Sequence, residues 1–245
     1  MIKTASRKEH SATAATTYAA RMEQIRFSWK RDQPPVLDIE RLEVEAGERL
    51  FVGGPSGSGK TTLLGLFSGI LVPDSGCVEL LGMPVHNLKS AARDHFRADH
   101  IGYIHQMFNL VPYLSVLENV TLPCRFSKRR HSRAQQQSGS PADEAQRLLG
   151  HLGLDTQELL RKSVAELSVG QQQRVAAARA LIGAPEIIIA DEPTSALDAA
   201  NRESFIDLLF QECQTSGATL IFVSHDTSLG PMFDRSVQLN GGPAC

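Results

Sequence analysis

Apolar and polar residues alternate early in the chain and run together late. Glu23 to Trp29 (EQIRFSW) places Ile25 and Phe27 on one face, as a strand does. VLDIERLEV, from Val36, alternates like a half-exposed antiparallel strand, and Gly47 breaks it. ERLFVG then forms a short strand that enters a glycine-rich loop, and TTLLGLFSGI follows with a helical pattern. Pro73 to Gly76 (PDSG) is a turn, and CVELLG is another hairpin strand. From about Ser90 to Lys162 the pattern is mostly helical, interrupted by the strand IGYI. The last third carries short, wholly apolar strands of the parallel-sheet kind, EIIIA and TLIFV, with RSVQL as a third. A helix over Gln171 to Ile182 is stopped by Pro185, and the amphipathic helix NRESFIDLLFQECQ is closed by Gly217. No internal repeat is visible. These elements predict an α/β fold: a parallel core, an antiparallel β subdomain in front of it, and a helical insertion over about 90–172.

Composition narrows the function without naming it. The 245 residues are 42% hydrophobic and 21% charged, with a formal net charge of −2. That is an ordinary globular composition, and nothing global calls for nucleic acid or an anionic lipid surface. No apolar run reaches the length of a membrane span, so a membrane role has to come through a partner. Cys77, Cys124, Cys213 and Cys245 show no metal-ligand spacing and read as reduced, mostly buried thiols of a cytosolic protein. Residues 1–21 lack the apolar core of a secretory signal. Their composition would suit a transit peptide, but a disordered tail is the expectation, with a single domain over 22–245 and Met22 as an alternative start. The basic run SKRRHSRAQQQSGSP, Ser127 to Pro141, would suit an acidic partner or lipid headgroups; a solvated loop or helix end is the expectation.

Chemistry enters with GPSGSGKT, which matches the phosphate-loop pattern G-x-x-x-x-G-K-[ST] at Gly54, Gly59, Lys60 and Thr61. A strand precedes it and a helix follows, the context the pattern needs. Glycines let backbone amides converge on phosphates, Lys60 supplies a cation to the β- and γ-phosphates, and Thr61 offers a hydroxyl to Mg²⁺. The motif predicts a nucleoside triphosphate bound with Mg²⁺ and makes the core that of a P-loop NTPase. Asp191 and Glu192 end an apolar strand, where ligands sit in open parallel sheets. A carboxylate beside the metal can polarise a water for attack on the γ-phosphate, and strand alternation would point Glu192 away from Asp191. His225 also follows an apolar strand, where its imidazole could reach the γ-phosphate or be merely exposed. In LSVGQQQRVAAARAL, Ser168 suits a helix N-cap and Gly170 allows close backbone approach. Those residues alone favour an ordinary capped helix over an anion site.

Taken together, these motifs resemble the ATP-binding cassette (ABC) ATPases, from about Met22 to Gly242. GPSGSGKT is similar to Walker A, IIIADE to Walker B, LSVGQ to the signature motif, Ser195–Asp198 (SALD) to the D-loop and His225 to the switch histidine. Gln106, in YIHQMFN, is similar to the Q-loop glutamine, and Trp29 falls where the family places an aromatic that stacks on adenine. Phe27 competes for that place, but its alternation with Ile25 suits the core. Val169 departs from the usual LSGGQ, and His105 departs from the hydrophobic residue usual before the glutamine.

The resemblance implies a RecA-like core and a homodimer holding two ATP molecules at its interface. The phosphate contacts would come from Gly54, Pro55, Ser56, Gly57, Ser58, Gly59, Lys60, Thr61 and Thr62. Thr61, Gln106 and Asp191 would hold Mg²⁺. Ser168, Gly170, Gln171 and Asp198 would meet the other subunit's nucleotide. Glu192, His225 and Lys60 would be catalytic. Integral-membrane permease subunits are the implied partners, and no nucleic acid is. The stretch from Phe96 to Pro123 is most similar to the lipoprotein-releasing and macrolide-efflux branch. That implies a place on the cytoplasmic face of the inner membrane and work in export, lipoprotein release or mechanotransmission.

Overall fold

Alternating runs became antiparallel strands and continuous runs became parallel ones. The computed structural model describes residues 2–5, 17–30, 32–154, 157–195 and 197–239. In chain order the first elements are β1 (Ile2–Ala5), β2 (Tyr18–Phe27), β3 (Leu37–Glu45), β4 (Arg49–Gly53), α1 (Lys60–Phe67), β5 (Ser75–Leu80), β6 (Met83–Pro84), α2 (Ser90–His100) and β7 (Ile101–Ile104). There follow α3 (Val116–Thr121), α4 (Pro123–Phe126), α5 (Lys128–Ser138), α6 (Pro141–His151), α7 (Gln157–Arg161), α8 (Val169–Leu181), β8 (Ile187–Asp191), α9 (Ala199–Ser216), β9 (Thr219–Ser224) and β10 (Arg235–Leu239). They divide between two compact units, Met1–Arg97 with Thr219–Cys245 and Ala98–Ala218, the division falling inside α2.

In the first unit β3, β2, β5 and β6 lie in that order, each neighbouring pair antiparallel. β3 buries Leu37, Ile39, Leu42 and Val44 and exposes Asp38, Glu40 and Arg41. β2 buries Met22 as well as Ile25 and Phe27, an odd spacing that simple alternation forbids. A bulge resolves it: Gln24 takes φ +52 and the register with β5 shifts between Glu23 and Arg26. The same unit holds β1, β10, β4 and β9 side by side; β10, β4 and β9 run parallel, with β1 antiparallel to β10. Leu50, Phe51 and Val52 of β4 and every residue of β9 are buried, which is why both segments read as uninterrupted apolar runs.

Residues 1–21 differ from the expected tail. Ile2–Ala5 form β1, and β2 begins at Tyr18 with Ala19 and Ala20 buried. A chain starting at Met22 would lack the first four residues of β2. The rest of the expected tail, residues 6–16, lies outside the described residues.

In the second unit β7 and β8 pair in parallel, and α8 supplies a nearly all-apolar face through Val175, Ala176, Ala177, Ala178, Ala180 and Leu181. The basic run is corrected here. It forms the helix α5, and its arginines are spent inside the unit. Arg130 is 3% exposed and donates to the carbonyls of Ile182 (2.7 Å), Ala180 (2.7 Å) and Arg179 (3.1 Å). Burial brings its pKa down to about 10, so it stays charged at neutral pH. A helix end leaves its last carbonyls without intrahelical donors, and this guanidinium serves those of α8. Arg129 and Arg133 bind Glu186, which also meets His100. Of the thiols, Cys124 and Cys213 are buried and Cys77 is exposed; Cys245 lies outside the described residues.

Candidate functional site

The expected site residues fall into two sets, one in each unit. In the first unit the glycine-rich segment joins β4 to α1. Gly59 caps α1 with φ +93, and a Cβ there would come within 2.9 Å of Leu37 Cδ2. A Cβ on Gly54 would lie 2.7 Å from the Leu239 carbonyl oxygen and 2.6 Å from Ser58 Oγ. Neither position admits a side chain, so the loop presents bare backbone to whatever it binds. Pro55, Ser56, Gly57 and Thr61 are exposed, while Ser58 and Thr62 are buried. The first turn of α1 leaves amides free for an anion.

Lys60 Nζ lies over this loop, donating to the carbonyls of Gly54 (2.7 Å) and Pro55 (2.9 Å). Ser58 Oγ is buried and has no hydrogen-bond partner among the described residues. An orphaned buried hydroxyl costs about 1–3 kcal/mol, and a bound phosphate oxygen would remove that cost. Loop, cation and orphan hydroxyl together fit a polyphosphate.

Trp29 is 60% exposed and meets buried Phe27 edge-on, with ring centroids 5.1 Å apart. The division expected from alternation holds: Phe27 is core and Trp29 offers a free ring face. Gly53 of β4 stands in register with Ser224 of β9, so Gly54 and His225 leave the carboxyl ends of adjacent parallel strands. His225 is exposed there.

In the second unit Ile104 of β7 is in register with Ala190 of β8, so His105–Gln106 and Asp191–Glu192 also leave neighbouring strand ends. Asp191 is the last strand residue, and Glu192 has already turned into left-handed backbone, φ +47, 8% exposed. That turn is closed by Ser195 N donating to the Glu192 carbonyl, so Glu192 lies beyond the strand whose alternation was expected to set it. Such a conformation costs on the order of 1–3 kcal/mol and is typical of functional positions.

The His105 ring stacks on Tyr103 at 4.1 Å between centroids. Burial, and then the charge of Arg179, lowers its pKa, so a neutral aromatic ring takes the place of the usual hydrophobic residue. Burial, and then the charge of Asp191, raises the Tyr103 pKa. Gln106 is exposed, at the head of a turn containing Phe108 and Asn109. Among the described residues no group of three or more His, Cys, Asp or Glu could hold a metal. Mg²⁺ needs no such cage, since it takes one or two carboxylates, a hydroxyl, substrate phosphates and water. The hydroxyl of Thr61, the carboxylate of Asp191 and the amide oxygen of Gln106 are donors of that class.

The signature segment is a capped helix start. α8 begins at Val169, two residues earlier than expected. Ser168 Oγ accepts from Gln171 N (3.3 Å), and Gln171 Oε1 accepts from Ser168 N (3.0 Å), a reciprocal capping box. Ser168, Gly170 and Gln171 line a cavity of about 380 Å³ together with Asp198 and Asn201. Asp198 caps α9 by accepting from Asn201 N at 2.9 Å. Ala196, inside the expected D-loop, lies outside the described residues.

The same cavity is lined by Gln173, a residue that sequence reasoning missed. Its side chain is 1% exposed, and both ends of its amide lack hydrogen-bond partners among the described residues. The signal was spacing, because positions three apart share a helix face and Gln173 follows Gly170 by three.

A strand–glycine loop–helix in one unit and a strand-end carboxylate pair in the other are the parts of a P-loop nucleotide hydrolase. Comparison with known proteins identifies which kind. Residues 37–195 match the ABC transporter family, and the chain belongs to it. It is 43% identical over 207 residues to YbbA of Escherichia coli (strain K12), an uncharacterized ABC transporter ATP-binding protein, covering 84% of this chain and 87% of that one. It is 41% identical over 207 residues to LolD of Syntrophotalea carbinolica, a lipoprotein-releasing system ATP-binding protein, with the same coverage. The dimeric structure of the ABC transporter cassette MJ0796 superposes with a TM-score of 0.79 at 33% identity, over 90% of this chain and 94% of that one. A post-hydrolysis structure of MJ0796 bound to ADP and Pi matches equally, with a TM-score of 0.79. The chain is the ATP-binding and ATP-hydrolysing subunit of a membrane transporter and uses ATP with Mg²⁺. Among the described residues no helix is long and apolar enough to cross a membrane.

Proposed function

We propose that two copies of this chain close head to tail on two ATP molecules, and that closing and reopening drives an integral-membrane permease in export or lipoprotein release. One observation carries the reading. The chain has a single phosphate loop and a single signature segment, and the signature segment lines an open cavity with Asp198 and Asn201. Each is half of a site that a second copy completes.

In this reading Trp29 stacks on adenine. The backbone N–H groups of the Gly54–Thr62 loop, Pro55 having none, and the Lys60 ammonium hold the β- and γ-phosphates. Thr61, Asp191 and Gln106 would hold Mg²⁺, which would supply positive charge against the phosphate oxygens. Glu192 accepts a hydrogen bond from the attacking water and orients it in line with the γ-phosphorus. Lys60 and His225 stabilise the charge that develops on the transferred group. Ser168, the backbone at Gly170, Gln171 and Asp198 meet the γ-phosphate side of the partner's nucleotide. Loss of that phosphate removes what both copies were holding, and the dimer opens. The similarity to LolD supports the lipoprotein-release or efflux branch and a place on the cytoplasmic face of the inner membrane.

Glu192→Gln tests this reading. Turnover should fall at least about 100-fold, while light scattering shows an ATP-dependent dimer that persists. The same protein, captured from detergent-solubilised membranes with Mg·ATP, should bring an integral-membrane protein with a large outer domain. A variant that stays monomeric in ATP sinks the pair site. Capture of ribosomal or DNA-repair proteins with no membrane partner sinks the transport role.

A further inference from the structure

The end of β10 forms a wall of the phosphate loop. Gln238 stands in register with Gly53 of β4, and a Cβ on Gly53 would lie 2.5 Å from both ends of the Gln238 amide. One residue on, the Leu239 carbonyl oxygen closes on Gly54, where a Cβ would lie 2.7 Å from it. These two residues of β10 therefore confine the chain where it leaves β4 and enters the loop.

The two ends of β10 are held by different means. Its start is tied by side chains: Arg235 donates to the Glu48 carboxylate (2.6 Å) and to the Glu43 carbonyl, and the preceding Asp234 pairs with Arg49 (2.5 Å). Its end lies between two backbones, β4 on one side and the short strand β1 on the other. Lys3 pairs with Gln238 and Ile2 with Leu239, the same two residues that wall Gly53 and Gly54. Without β1 these residues would sit on the edge of the sheet, and backbone with few protected hydrogen bonds opens first. A loop that is ordered only part of the time binds with an affinity reduced by that fraction.

We propose that Ile2–Ala5 is a positioning element of the nucleotide site: by pairing with the end of β10 it keeps the Gln238–Leu239 wall in place, so that the phosphate loop is formed before ATP arrives. This rests on the phosphate-loop assignment made above.

The test uses the full chain and measures the affinity of the dilute protein for a fluorescent ATP analogue. Successive backbone N–H groups of a strand point to opposite sides, and β1 has β10 on one side alone, so of Lys3 and Thr4 one donates to β10 and the other faces away. Hydrogen exchange of the unaltered chain tells them apart, because the donating amide exchanges slowly. Proline abolishes a donor and is tolerated in an edge strand where the N–H faces away. Of Lys3→Pro and Thr4→Pro, the one at the donating position should weaken ATP binding at least about fivefold, as for a loop formed at most about one-fifth of the time, while the other stays within about twofold.

Lys3→Gly combined with Thr4→Gly keeps both donors but weakens the strand, and its loss should fall between the two. It decides the matter if a proline variant does not fold. A β1 that serves stability alone would lower the urea midpoint and leave the affinity of the folded chain unchanged. That result, equal losses in the two proline variants, or full affinity in the glycine pair overturns the proposal. Gly54→Ala, measured alongside, tests the premise: if it binds ATP normally, the loop assignment fails, and the role of β1 with it.

Discussion

Two stretches of this chain carry the glycines proposed to meet phosphate, and they are built by opposite means. At the phosphate loop the fold itself demands glycine. Gly59 is left-handed, and a side chain on Gly54 would strike the Leu239 carbonyl at 2.7 Å. At the signature, Gly170 sits inside α8, and a Cβ there would meet nothing nearer than Leu197 Cδ2 at 3.8 Å. Its own chain has no use for a glycine at that point, and glycine in a helix is about 1 kcal/mol worse than alanine. Such a glycine fits the proposed close approach of a second copy, so that one site would be preformed by the chain and the other completed by its partner.

The largest expected effect breaks the preformed side. Gly54→Ala should weaken ATP binding by the single chain about 100-fold or more, equivalent to roughly 2.7 kcal/mol, read with a fluorescent nucleotide. A loop that tolerates alanine there would remove the contrast. Next comes Gly170→Val. The isolated chain should keep its denaturation midpoint within about 1 kcal/mol and its nucleotide affinity within about twofold. ATP-driven dimerisation should fall at least about 30-fold, some 2 kcal/mol. If dimerisation survives, no partner approaches Gly170 closely.

The same contrast explains what the sequence disclosed. The phosphate loop was legible because its geometry can be made only with glycines at fixed places. The parallel strands were legible because β9 and the apolar part of β8 are buried on both faces. Arg130 was not: charge reads as solvent-seeking, and only the end of α8, with carbonyls in need of donors, makes a buried guanidinium favourable. Glu192 shows a related limit, since one residue beyond a strand the turn, not the period, governs the backbone. Gln173 was passed over as one polar letter in a run, although the spacing to Gly170 places it on the cavity wall.

A smaller effect sharpens the comparison through two serines. Ser168 caps its own helix, whereas Ser58 Oγ is a buried orphan. Ser168→Ala should lower stability by about 1 kcal/mol, seen as a shift in the urea midpoint with an unchanged slope. Ser58→Ala should leave the midpoint unchanged or raise it, because no hydrogen bond is lost, and should weaken nucleotide binding severalfold. The reverse assignment of losses would mean that the hydroxyl of Ser58 serves the fold.

The smallest effect concerns Val169, which replaces the first glycine of the usual signature. Valine accepts fewer backbone conformations than glycine, so a slower enzyme was conceivable. Yet Val169 is the first residue of α8, half exposed, in a conformation that a branched residue accepts. There is no preceding helical turn for its methyls to crowd. Val169→Gly should therefore change stability by less than about 0.5 kcal/mol, because the position asks nothing special of the chain. The informative readout is turnover. If Gly170 alone makes the close approach, the rate should stay within about threefold, a change worth under 1 kcal/mol of barrier. A rise above about tenfold, some 1.4 kcal/mol, would show that the partner also reads position 169 and that valine holds the pair apart. The open site would then extend one residue closer to Ser168.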